Sequence, residues 1–154
     1  MSYRVLDVSL ADEGRRKIQW ALSHMPVLQS LTRQYEKSMP LEGVRVAGCL
    51  HVTKETAVLV ESLKALGAVL SWCGCNPLST QDDVAASLAG DDKISIYASR
   101  GVSTQEYYDD IHMAMKIDPN IPSMTELILR WKCTERFKNS SLCMEEQRKQ
   151  QQGL

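Results

Sequence analysis

The feature that most constrains this chain is an alternation in which three short, β-branched apolar runs are each followed by a stretch of helical period. The first run, Val44-Arg45-Val46-Ala47-Gly48-Cys49-Leu50, has the composition of a strand buried on both faces. After it, Thr53 stands where an N-cap belongs, before a helix carrying Ala57, Val58, Val60, Leu63 and Leu66. Gly67 follows in the position where helices commonly end in a left-handed residue. The pattern repeats as strand over 68–72, helix over 80–88, strand over 94–98 and helix over 104–116. Such a βαβαβα order predicts an α/β fold in three layers: a parallel sheet with right-handed crossovers and helices on both faces, Rossmann-like in outline.

Ahead of the first run, Ile18, Ala21, Leu22, Met25, Leu28 and Leu31 recur at three- and four-residue spacing and make one apolar face. Asp12 and Glu13 at its start and Arg33 and Lys37 near its end suit the helix macrodipole. Pro26 interrupts the run, so residues 11–36 read as two helices or one bent helix. The chain of 154 residues has room for one ordinary domain, and its 18 basic against 19 acidic side chains leave no net field to draw it onto nucleic acid or anionic lipid. No apolar run approaches the length that spans a bilayer, and the start lacks a signal pattern, so a cytoplasmic setting is expected. Five cysteines without framework spacing read as free thiols.

Open parallel sheets bind ligands beyond the carboxyl ends of their strands. Those ends hold His51, Thr53 and Glu55 in the first turn, and Ser79, Thr80, Gln81 and Asp82 in the second. Each turn also has a purely structural reading: Thr53 caps its helix with Glu55 at the positive end, and residues 79–83 form a helix start with acids in the first turn. Cys73 and Cys75 lie one residue apart without a second ligand pair, which argues against a metal site. His24 and His112 lie on helices with no nucleophile pattern and read as surface or satisfied histidines. Neither Gly-x-Gly-x-x-Gly nor Gly-x-x-x-x-Gly-Lys occurs, so the sequence shows no seat for a dinucleotide or nucleoside triphosphate.

At the same turns the sequence becomes more specific. Asp7-Val8-Ser9-Leu10-Ala11 with Gly14-Arg15, His24-Met25-Pro26, residues 46–53 with Glu55-Thr56-Ala57-Val58-Leu59, and Cys75-Asn76-Pro77-Leu78-Ser79-Thr80-Gln81-Asp82-Asp83 resemble, in order, the opening of the adenosylhomocysteinase family. The likeness is colinear from Tyr3 to about Asn120. It implies reversible hydrolysis of S-adenosylhomocysteine to adenosine and homocysteine, in which bound NAD transiently oxidises the ribose 3'-hydroxyl and so acidifies the 4' proton. It further implies that Glu55 meets the adenine edge, that His51, the catalytic candidate, and Thr53 lie at the sugar, and that Ser79, Thr80, Gln81 and Asp82 line the same pocket. Full-length members are homo-oligomers that bind NAD. Here weak binding of adenosine or S-adenosylhomocysteine is expected, with no NAD held by this chain. A non-catalytic small-molecule-binding or subunit-interaction module is the alternative.

After Ile121 the likeness stops. Rebuilding each codon from the third base of one residue and the first two of the next, Met124 to Thr125 gives aspartate, Trp131 to Lys132 glutamate and Met144 to Glu145 glycine. With synonymous choices elsewhere, 123–128 reads Asp-Asp-Gly-Ala-Asp and 143–153 reads Tyr-Gly-Gly-Thr-Glu-Glu-Thr-Thr-Thr-Gly, two segments of the resembled family. The expected organisation is therefore a partial substrate-binding domain over 1–121 and a poorly ordered, out-of-frame tail over 122–154.

Overall fold

The computed structural model describes residues 2–124, and the expectation of a poorly ordered tail falls, from residue 125 on, outside the described residues. Contacts gather the described residues up to Ser123 into one compact unit. The elements are β1 (Tyr3–Arg4), α1 (Ala11–Ser23), α2 (Pro26–Tyr35), β2 (Arg45–Cys49), α3 (Lys54–Ala65), β3 (Val69–Cys73), α4 (Asp82–Ala89), β4 (Ile94–Tyr97), α5 (Thr104–Met115) and β5 (Ile121–Met124). Short 3-10 turns cover Val8–Leu10 and Pro77–Ser79.

The sheet order is β1-β4-β3-β2-β5, with parallel pairing of β2 with β3, β3 with β4 and β4 with β1. The run expected as the first strand is thus second in the chain. Two residues are too few to show periodicity, and β1 exists because Tyr3 and Arg4 pair with Ile96 and Tyr97. Successive strand residues face opposite layers. Val46, Leu70, Trp72, Ile94 and Ile96 share a core with Ile18 and Ala21 of α1, Val58 and Val60 of α3, and Val84 and Leu88 of α4. The other face is covered by α5, which packs on β2, β3 and β4. The expected three layers are present.

Local chemistry explains the boundaries. Pro26 divides the first apolar run and serves as the opening residue of α2, where its missing N–H costs nothing. Leu22, Met25 and Leu28 pack on the core, but Leu31 is 46% exposed, because the stripe outruns the surface that it covers. At the end of α3, Gly67 takes φ +106° while its N–H reaches the Lys64 carbonyl at 2.9 Å and Ala68 N–H reaches Leu63 at 3.2 Å. This is the six-to-one and five-to-two closure of a Schellman motif. Gly14 matters for packing rather than φ: a β-carbon there would lie 1.9 Å from the Asp83 carbonyl oxygen, so α1 crosses α4 at a separation that only glycine permits. At α5, Ser103 and Glu106 form a reciprocal capping box.

Candidate functional site

The registers Cys49↔Cys73 and Cys73↔Tyr97 bring three strands to an end at one level. Three loops leave this edge together and are stitched to one another by backbone groups. Cys75 N–H bonds the Leu50 carbonyl at 3.2 Å, Gln81 N–H the Val52 carbonyl at 2.9 Å, and Gly101 N–H the Pro77 carbonyl at 3.1 Å. Tyr107 of α5 adds its hydroxyl, which donates to the Cys75 carbonyl at 3.2 Å. Burial pushes that phenol far above its usual range, so it remains a donor. Burial likewise raises the Cys75 thiol, and none of the three described cysteines, Cys49, Cys73 and Cys75, is in a disulfide.

The two expected turns meet at His51 and Ser79, whose Nδ1 and Oγ are 2.6 Å apart. Ser79 Oγ also lies 2.8 Å from the Asn76 carbonyl, an acceptor only, so its single proton goes there. The hydroxyl must therefore accept from His51 Nδ1–H, which leaves Nε2 of a neutral His51 as the nitrogen with a lone pair. Asn76 in turn accepts from Leu78 N–H at 2.9 Å and shapes the 3-10 turn that carries Ser79.

The other expected residues divide by role. Thr53 holds the N-cap position of α3 in extended backbone, but its side chain makes no capping bond. Gln81 reaches across from the second loop instead, accepting from Lys54 N–H at 3.2 Å through Oε1. Asp82 is tied down by Arg100 N–H, 2.8 Å from Oδ1. It opens α4 two residues later than the sequence reading placed the start, because Thr80 is extended at ψ 131°. Thr80 is 2% exposed, with its hydroxyl 3.1 Å from where a Gly74 β-carbon would be, so it packs beneath the loop. Glu55 stands exposed in the first turn of α3, with Oε1 3.9 Å from Lys54 Nζ.

Sequence reasoning passed over that lysine and its surroundings. Lys54 Nζ lies 4.1 Å from the Trp20 ring centroid, and the His24 ring packs against the same indole, tilted by 31° with centroids 4.2 Å apart. His24 is satisfied locally through Trp20 O and Ser23 Oγ, in line with its sequence reading. A basic residue directly before the candidate Glu55 was the available signal; the contact of α1 with α3 that brings Trp20 over it was not visible. Two surface hollows, between α2 and α3 and at the α1–α2 corner, contain none of the expected site residues. Among the described residues no helix is long and apolar enough to cross a membrane.

A parallel sheet with helices on both faces and polar loops gathered at one carboxyl edge defines a Rossmann-like α/β domain. The family model described as S-adenosyl-L-homocysteine hydrolase matches residues 2–130. An adenosylhomocysteinase of Sulfolobus acidocaldarius is 52% identical over 121 residues, 79% of this chain and 29% of the relative. One of Pyrobaculum aerophilum is 53% identical over 118 residues, 77% and 27% respectively. The S-inosyl-L-homocysteine hydrolase of Methanopyrus kandleri is 46% identical over 119 residues, 77% and 28%. The chain thus belongs to the S-adenosyl-L-homocysteine hydrolase family, and it spans under a third of the length of these relatives.

Proposed function

We propose that this chain supplies one wall of a site for S-adenosylhomocysteine, binding its adenosine part at the carboxyl edge of the sheet. The observation that carries this reading is the His51–Ser79 contact, which joins the two loops bearing every expected site residue. Glu55 accepts from the 6-amino group of the purine. His51 Nε2, free of its Ser79 bond, accepts from a sugar hydroxyl, with the Thr53 hydroxyl beside it. Ser79 and Gln81 border the same mouth. Thr80 and Asp82 hold the loop in place from behind and from the side.

In the family's reaction NAD supplies the transient oxidation of the sugar. A dinucleotide's pyrophosphate sits on a glycine-rich turn with free helix N–H groups. Here the α3 turn is Leu50-His51-Val52-Thr53 and its Lys54 N–H is taken by Gln81, while the Gly74 turn is packed against Thr80. The described residues do not fit NAD, and the chain on its own binds without turning over. With one wall present, affinity is of millimolar order, about 4 kcal/mol. Incubation of the purified chain with S-adenosylhomocysteine and NAD should release no homocysteine thiol beyond a Glu55→Ala control. NMR titration with adenosine should shift amides of residues 51–55 and 79–82. Turnover would overturn the inactivity, and shifts elsewhere would overturn the site.

Residues 122–154 are read as an out-of-frame continuation of the same family. Two family segments recovered in one shifted frame support this, weighed against a family-model match that continues to residue 130. The nucleotide sequence around the codons of Ile121 and Pro122 decides it: a single inserted or deleted base must restore both segments in frame. Location in the cytoplasm and assembly with further copies belong to the same proposal, as properties of the resembled family.

A further inference from the structure

The first turn of α3 places a cation and a carboxylate side by side at the candidate mouth, with Lys54 Nζ 3.9 Å from Glu55 Oε1. The ammonium is parked over the Trp20 ring at 4.1 Å, a weak cation–π contact at a surface site, which holds it near Glu55 without fixing it there. Gln81 pins the backbone beneath through Lys54 N–H at 3.2 Å, so the two side chains project from a fixed turn. Lys54 is 29% exposed and Glu55 53% exposed, so both heads can reach a ligand.

A carboxylate alone reads only a donor, whereas an adjacent ammonium adds a donor of its own. A 6-aminopurine presents an amino donor at position 6, which suits Glu55. A 6-oxopurine presents an acceptor at position 6 and an N1–H donor beside it. A lone carboxylate would face that oxygen unfavourably, but a lysine next to it can donate to the oxygen while the carboxylate accepts from N1–H. The spacing of the pair suits these two adjacent ring positions once the ammonium leaves the Trp20 face.

We propose that Lys54 is a specificity-determining residue which, paired with Glu55, lets this edge accept 6-oxopurine as well as 6-aminopurine nucleosides. The inference rests on the reading that Glu55 meets the purine. It is tested by titrating the full 154-residue chain, and its Lys54→Met, Lys54→Arg and Glu55→Ala variants, with adenosine and with inosine, following amide shifts. The parent should bind both, adenosine more tightly. Lys54→Met should raise the adenosine-to-inosine affinity ratio at least 5-fold, and Lys54→Arg, which keeps the charge and the ring contact, should restore it to within about 2-fold of the parent. An unchanged ratio in Lys54→Met, with shifts still centred on residues 51–55, would overturn the inference while leaving the site reading intact. A loss of both ligands alike would overturn it too, as a general charge effect. Shifts remote from residues 51–55, or a Glu55→Ala variant that binds adenosine like the parent, would overturn the site reading and the inference with it.

Discussion

Gly48→Ala should be among the most damaging one-carbon additions to this molecule. Gly48 pairs in register with Trp72, and a β-carbon on it would lie 2.3 Å from two ring carbons of that indole. Ordinary carbon contacts are about 3.5–4 Å, so ring and strand would have to part by more than about 1 Å. The ring has nowhere to go, being 1% exposed among Val46, Val58, Leu70, Val84 and Ile96. Overpacking of this kind costs about 1–3 kcal/mol. At roughly 4–8 °C per kcal/mol for a small domain, Tm should fall by about 5–20 °C. Urea and thermal unfolding followed by circular dichroism would measure it. Trp72→Phe supplies the internal check, because it trims the clashing ring and removes an indole N–H that has no partner among the described residues. The two substitutions together should be at least about 1 kcal/mol less destabilising than their separate costs combined. A Gly48→Ala chain within about 0.5 kcal/mol of the parent, or costs that simply add, would refute the packing argument.

Two further outcomes follow from groups placed by the fold. Burial pushes the Asp91 carboxyl up, but the Lys64 ammonium against it and the Lys93 N–H at 2.9 Å pull it further down, below the ordinary 3.8. A lowered folded-state value means that its stabilisation is fully present above about pH 3.8 and is lost as pH falls through the folded value. Asp91→Asn should accordingly flatten the acid limb of a urea-midpoint profile below about pH 4, at a cost under about 1 kcal/mol near neutrality since Lys64 is partly solvated. Tyr107→Phe removes the hydroxyl that holds the Cys75 carbonyl and should cost about 1 kcal/mol, with faster amide exchange across the Gly74–Ser79 turn; unchanged exchange there would show that the hydroxyl does not hold the loop.

Much of the sheet was legible because its strands are buried on both faces, which makes them continuous apolar runs. The expected 44–50, 68–72 and 94–98 correspond to β2, β3 and β4 within a residue or two at each end. What escaped was structure made by partners rather than by pattern: β1 and β5 are short edge strands, and Asn120 N–H on the Arg45 carbonyl at 2.8 Å, not hydrophobic period, leads the chain into β5. Of the candidate site, the residues could be picked from the carboxyl-edge rule and the family resemblance, but the division of labour among them could not. Which side chain points at a backbone amide depends on the neighbouring loop.

Thr53 and Gln81 show that limit most sharply, and they can be tested against each other. Sequence favours Thr53 as the cap of α3, since a threonine before a helical period usually satisfies an N–H of the first turn. In the fold Thr53 keeps the cap position without the cap bond, and Gln81, 27 residues away along the chain from Lys54, accepts from the Lys54 N–H, the first amide of the helix. The exchange has a chemical consequence, for it leaves the Thr53 hydroxyl without a cap bond while a distant loop is locked onto the helix start. Gln81→Ala should therefore cost about 1 kcal/mol and loosen the amides at the start of α3, as loss of an N-cap does. Thr53→Ala should change stability by only a few tenths of a kcal/mol and act on adenosine binding instead. If unfolding shows the opposite order, Thr53 is the working cap, its hydroxyl is committed to the backbone, and the sugar-facing role assigned to it falls.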